Sequence, residues 1–162
     1  MKKIESLKDI TENIGALAFN TEYGYIFRIE SVYVSKDEIL INDVVSISNV
    51  IRLNWLMSEE DVKQLLMPIR DIHDYTERVE LNNGYYLTVL DTVTGQVGRV
   101  FTCRQASSGV ELLVDFGCEG NEDYDYWVFK DEDGDMWLPY ANRFVVPDIA
   151  TIKELINQLE VV

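Results

Sequence analysis

Eight carboxylates fall between residues 119 and 135: Glu119, Glu122, Asp123, Asp125, Asp131, Glu132, Asp133 and Asp135. Carboxylates at this density can hold a divalent cation, work as an acid–base pair, or steer a cationic partner. The run Asp131-Glu132-Asp133-Gly134-Asp135 resembles the start of a calcium loop. An EF-hand needs glycine at its sixth position and glutamate at its twelfth, whereas here the glycine is fourth and the twelfth residue is Asn142. The spacing therefore reads as a type I′ hairpin turn at Asp133-Gly134 with solvated acids around it. Paired carboxylates of the glycosidase kind carry no signal, because among 29 acids some pair always lies close.

Other catalytic chemistry finds no support. His73 is the only histidine, sits in Ile72-His73-Asp74 outside any nucleophile-elbow pattern, and reads as a surface side chain. Together with Cys103 and Cys118 it cannot supply a closed four-ligand zinc set. Neither a glycine-rich phosphate loop nor a dinucleotide fingerprint is present. The expectation is no catalytic residue, no metal and no cofactor.

Charge distribution carries the positive signal. The chain holds 14 Lys+Arg against 29 Asp+Glu, a formal charge of −15. Residues 111–148 contain two bases and 11 acids, so more than half of the excess lies in under a quarter of the chain. Interleaved with those acids are Tyr124, Tyr126, Trp127, Phe129, Trp137 and Tyr140. A two-residue turn at Asp133-Gly134 would set Phe129 opposite Leu138 and Trp127 opposite Tyr140, leaving both faces of the hairpin substantially apolar. Such a hairpin is either covered on both sides or shows an aromatic face to solvent. An aromatic face rimmed by carboxylates suits a protein interface. The expected anchors are Tyr126, Trp127 and Trp137, with Glu122, Asp123, Asp125, Asp131, Glu132, Asp133 and Asp135 as charge complements.

The net charge opposes approach to a phosphate backbone and to anionic membranes. A 47% apolar and 11% aromatic composition belongs to a folded protein, and 162 residues fit one domain, 1–162. A subdivision into a helix/strand part over 1–67 and an antiparallel part over 77–147 is the alternative. Glu5, Lys8 and Asp9 interrupt any apolar run behind the first lysines, and no stretch reaches the length of a membrane span. The hairpin reading sets Cys103 and Cys118 out of register on neighbouring strands, which argues for two thiols in a reducing cytoplasm.

The expected architecture is α+β. Ile4, Leu7, Ile10, Ile14 and Leu17 recur at helical spacing and predict a first helix. Residues 23–34 and 38–47 have strand composition, and an apolar segment runs from Val50 to Met57. Ser58 before three acids predicts a helix over 58–67 that Pro68 ends, and residues 68–76 show no clear period. The second half reads as a meander curling into a sheet or partial barrel, with turns at Asn83-Gly84, Thr94-Gly95, Ser107-Ser108-Gly109 and Asp133-Gly134. Asp148 caps a last helix near 148–160 whose apolar stripe is Ile149, Ile152, Leu155, Ile156 and Leu159.

These features converge on a non-enzymatic acidic module that docks on a basic protein, and basic surfaces of that kind are most often nucleic-acid sites. In size, charge and lack of catalytic motifs the chain resembles the small acidic inhibitors of phages and mobile elements, of the anti-restriction and anti-CRISPR kind. That compositional resemblance implies a partner that is a nucleic-acid-binding enzyme, with the inhibitor competing as a nucleic-acid mimic. A toxin-neutralising immunity protein would show the same steering. From another class, a carboxylate-dependent hydrolase or divalent-cation-binding protein would use the acids as ligands.

Overall fold

The computed structural model describes residues 1–35, 39–42, 44–46, 51–85, 87–106, 109–116, 124–128 and 143–161. Over these the chain is α+β, with four α-helices and three antiparallel sheets, none of them closed into a barrel. The first sheet contains β1 (Lys2–Lys3), β2 (Leu17–Asn20), β3 (Ile26–Arg28) and β7 (Asn54–Met57), in the order β1-β7-β2-β3. A small second sheet is a meander of β4 (Val32–Val34), β5 (Ile39–Ile41) and β6 (Val44–Ser46).

The third sheet has the order β12-β11-β10-β9-β13-β8. Its strands are β8 (Leu66–Met67), β9 (Thr88–Asp91), β10 (Val97–Ala106), β11 (Gly109–Asp115), β12 (Tyr124–Val128) and β13 (Phe144–Pro147). Strands β9 to β12 form the expected meander. Leu90 pairs with Val97 across the turn that contains Gly95, and Ala106 pairs with Gly109, while Ser107 and Ser108 of the next expected turn lie outside the described residues. β13 adds to the far side of β9 and then receives β8.

The helices are α1 (Leu7–Thr11), α2 (Glu59–Leu65), α3 (Ile72–Leu81) and α4 (Ile149–Glu160). Each starts where a short polar side chain accepts an orphan N–H: Ser6 from Asp9, Ser58 from Asp61, Asp71 from Asp74 and Asp148 from Thr151. In α1 and α2 the aspartate at the third position also reaches back to the cap, completing a capping box. On α4 the expected stripe faces inward at Ile149, Ile152 and Ile156, whereas Leu159 is exposed.

Three expectations on local structure are corrected. The first helix spans only Leu7–Thr11: Leu17 lies in β2 and Ile14 is exposed, because the apolar period there joins a short helix to a strand. The helix from Ser58 stops at Leu65 rather than Met67. Pro68 disfavours helical backbone at the residue before it, and Leu66 and Met67 pair instead with Pro147 and Val146.

Residues 77–81 form the end of α3, so Asn83-Gly84 is not a hairpin turn. Asn83 and Gly84 have φ of 56° and 78°. The Gly84 N–H donates to the Val79 carbonyl and the Asn83 N–H to the Glu80 carbonyl, the double bond of a Schellman helix end. Positive φ at two successive residues serves a helix terminus as well as a hairpin.

Two core clusters result. The larger joins Leu17, Phe19, Ile26, Trp55 and Met57 of the first sheet to Leu87, Val89, Leu90, Val100, Leu112 and Val114, with α4 packed on it. The smaller gathers Ile4, Ile10, Ala18, Ile29, Ile41, Ile51 and Leu56 between the first sheet, α1 and the small meander. The sheets meet at β3. The Ile26 N–H donates to Thr88 Oγ1 at 2.8 Å, and Arg28 donates from Nε and Nη2 to the Gly95 carbonyl and from Nη1 to that of Gly15.

Gly24 has a positive φ of 66°, and a Cβ there would lie 2.5 Å from Asn82 Oδ1, whereas a Cβ on Gly84 would meet nothing within 4 Å. Gly84→Ala is therefore expected to lose about 1 kcal/mol, the cost of left-handed backbone, and Gly24→Ala about 2–4 kcal/mol with the added clash. Urea denaturation of the two variants measures the difference. Equal losses would show that the approach of Gly24 to Asn82 is not constrained.

Candidate functional site

Of the expected interface residues, Asp125, Tyr126 and Trp127 lie on β12, which among the described residues is the terminal strand of the third sheet. β12 runs antiparallel to β11, with Val114 opposite Asp125, Leu113 opposite Tyr126 and Leu112 opposite Trp127. Cross-strand partners occupy one face of a sheet. Positions 125 and 127 therefore fall on the face that carries the buried Leu112 and Val114, and position 126 falls on the other. Glu122, Asp123, Asp131, Glu132, Asp133, Asp135 and Trp137 lie outside the described residues, as do the expected Asp133-Gly134 turn and Cys118.

Charge chemistry missed from the sequence is concentrated in two ion-pair clusters. Asp91, at the end of β9, is 4% exposed and faces Arg143 just before β13. Arg143 Nε and Nη2 donate to its two carboxylate oxygens at 3.0 Å each, a bidentate pair. Asp91 Oδ1 also accepts the Val93 and Thr94 N–H groups, which shapes the β9–β10 turn. Burial pushes the Asp91 carboxyl up, and the hydrogen bonds from Arg143, Val93 and Thr94 outweigh it, so its pKa lies below the ordinary carboxylate value.

The second cluster is on α3. Asp74 is buried and accepts from Arg70 Nη2 and Arg78 Nε, both at 3.1 Å, while Arg78 Nη1 donates to the Pro147 carbonyl. Burial raises the Asp74 carboxyl, but hydrogen bonds from the Arg70 side chain and backbone and the charge of Arg78 hold it below its usual range. In the sequence, the signal for this cluster is the spacing Arg70, Asp74, Arg78, which sets the three side chains along one face of a helix. The Asp91–Arg143 pair, 52 residues apart, leaves none.

His73 is exposed on α3, consistent with a surface side chain. Among the described residues no group of three or more His, Cys, Asp or Glu side chains is arranged to hold a metal ion. No helix among them is long and apolar enough to cross a membrane. Cys103 is a free, half-buried thiol on β10, pushed up to about 12 by burial and then by the charges of Asp71 and Asp74. Thiolate is the reactive form, so the raised pKa disfavours reaction at this sulfur in the folded state.

Two surface features complete the inventory. Tyr23, Tyr25 and Phe27 alternate into and along β3, and Tyr85 joins them with its ring 4.6 Å from that of Tyr23. At the junction of the first and third sheets a cleft of about 610 Å³ is lined by residues of β2, β3, β7, α2 and β9. With the fold and these sites in view, the chain matches no protein-family model, no curated protein and no solved structure.

Removing Arg143 tests the first cluster. Arg143→Met is expected to destabilise the protein by about 3 kcal/mol at pH 7, because it strands a buried carboxylate. Asp91 has a folded pKa below its unfolded value, so the pair's contribution is full above about pH 4 and fades as the pH falls through the folded pKa. The deficit of the variant should shrink accordingly in urea melts at pH 3, and a pH-independent deficit would rule out the ion pair as its cause. For Cys103, thiol-reactive reagents at pH 8 should label the folded protein at that position many-fold more slowly than the protein in urea. Equal rates would contradict the raised thiol pKa.

Proposed function

We propose that the chain is a non-enzymatic protein-binding module whose acidic, aromatic segment docks on a basic surface of a partner protein and competes there with nucleic acid. The observation that carries this reading is the local charge. Residues 111–148 hold 11 acids and only Lys130 and Arg143 as bases, and Arg143 is bound to the buried Asp91. That leaves Lys130 as the sole cation of the segment outside that pair. A field of one sign over a short span steers a basic partner and raises its association rate, while aromatic side chains supply contact area at the centre of an interface. Tyr126, Trp127 and Trp137 serve as anchors in this reading, with Glu122, Asp123, Asp125, Asp131, Glu132, Asp133 and Asp135 around them. The partner is a basic protein of the nucleic-acid-binding kind, met in the cytoplasm.

The test is capture from a host lysate with the wild-type chain and with a variant whose acids over residues 122–135 are changed to lysine. Docking predicts a partner held by the wild type alone, displaced by added DNA or RNA, with an association rate that falls at least about tenfold between low and high salt. Retention of the same partners by both proteins would sink the reading. Thermal melts with calcium or magnesium address the cation-binding alternative, which requires a marked rise in melting temperature at millimolar ion.

A further inference from the structure

The cleft at the sheet junction has a floor and a rim of different chemistry. Leu17, Met57 and Leu90 are buried in its floor, with Ala16 and Val62 half-buried beside them. Arg28, Lys63, Glu59 and Thr92 stand at its edges. A volume of about 610 Å³ lies inside the range of about 300–1,000 Å³ that small-molecule sites occupy.

The electrostatics of the rim are unusual for this chain. Arg70, Arg78 and Arg143 each pair with an aspartate. Arg28 instead donates to two main-chain carbonyls, and among the described residues neither Arg28 nor Lys63 has a carboxylate within ion-pair distance. A guanidinium has five N–H donors, so the three given to Gly15 and Gly95 leave Arg28 donors to spare. Asp91 also lines the cleft, but its charge is met by Arg143. With Asp91 met by Arg143, the lining holds Arg28 and Lys63 against Glu59, a net of one positive charge in a chain of formal charge −15, where acids outnumber bases twofold.

We propose that this cleft binds a small amphipathic carboxylate, a medium-chain organic acid whose apolar body lies on Leu17, Met57, Val62 and Leu90 and whose carboxylate meets Arg28 and Lys63. The apolar part supplies most of the affinity through area removed from water, and the two cations fix the orientation and select for the anion. The proposal does not rest on the docking function.

The experiment is a titration of the isotopically labelled full chain with octanoate and, separately, with octanamide, its neutral counterpart, followed by amide ¹H–¹⁵N NMR. Saturable shifts should centre on Ala16, Leu17, Lys63, Leu90 and Gly95, with octanamide binding at least about fivefold more weakly, the worth of one partly exposed charge contact. Lys63→Glu, at an exposed helical position, should weaken octanoate by a similar or larger factor while leaving octanamide unchanged, and Val62→Trp should fill the cleft and abolish both. Absence of saturable shifts in the wild type, shifts centred elsewhere, equal binding of acid and amide, or full affinity in Lys63→Glu would each overturn the proposal. Because Lys63→Glu is read against octanamide in the same protein, a folding defect shows as loss of both ligands in a chain whose amide spectrum has collapsed. Val62→Trp then decides alone, and retained octanoate binding there overturns the site.

Discussion

The outer edge of β3 must be satisfied by something other than a strand, and the packing of the two larger sheets follows from how that is done. Among the described residues β3 pairs only with β2 within the first sheet, which leaves the Ile26 N–H pointing away from that neighbour. A backbone donor buried without a partner costs roughly 1–3 kcal/mol. Thr88 Oγ1, at the start of β9, meets that donor, and the Arg28 guanidinium reaches across the same seam to the carbonyl of Gly95. These bonds set the third sheet against the first at a fixed height, so that Ile26 joins Leu87, Val89 and Val100 in one cluster. The cleft beside Arg28 is the space that this docking leaves between β2, α2 and the β9–β10 turn.

The same economy governs the charges. A buried carboxylate is tolerable only with a cation and further donors around it, and the chain holds two such groups, Asp91 on β9 and Asp74 on α3. Asp91 orders the β9–β10 turn and ties β9 to the segment entering β13, while Asp74 ties the start of α3 to the Pro147 carbonyl through Arg78. Each pair removes one charge of either sign from the surface, so the net charge shown to solvent keeps its full acidic excess while the supply of free cations shrinks.

Helix starts and the meander were legible because their causes are local. A hydroxyl or carboxylate three residues ahead of an orphan N–H defines a cap within one turn of chain, and Ser58 and Asp148 both serve as expected. Strands β9 to β11 likewise follow from short β-rich runs with turn residues between them. Asn83-Gly84 reads as a hairpin in the sequence because the local requirement, positive φ at two residues, is common to hairpins and Schellman ends. What separates them is the preceding segment, where Asp71 caps a helix and Arg70, Asp74 and Arg78 line up along it.

By itself the sequence determined the sign and position of the charge, the α+β class and the caps of α2 and α4, since each depends on residue identity over a few positions. Only the tertiary structure decided that Leu66-Met67 pairs with β13, that Arg143 closes on Asp91 across 52 residues, and that Arg28 is met by carbonyls and not by an acid. Partners far apart in the chain are chosen by which strands the core brings together, and no local preference records that choice. The acidic segment divides in the same way. Its charge is written in the sequence, whereas the placement of Asp125, Tyr126 and Trp127 comes from the pairing of β12 with β11.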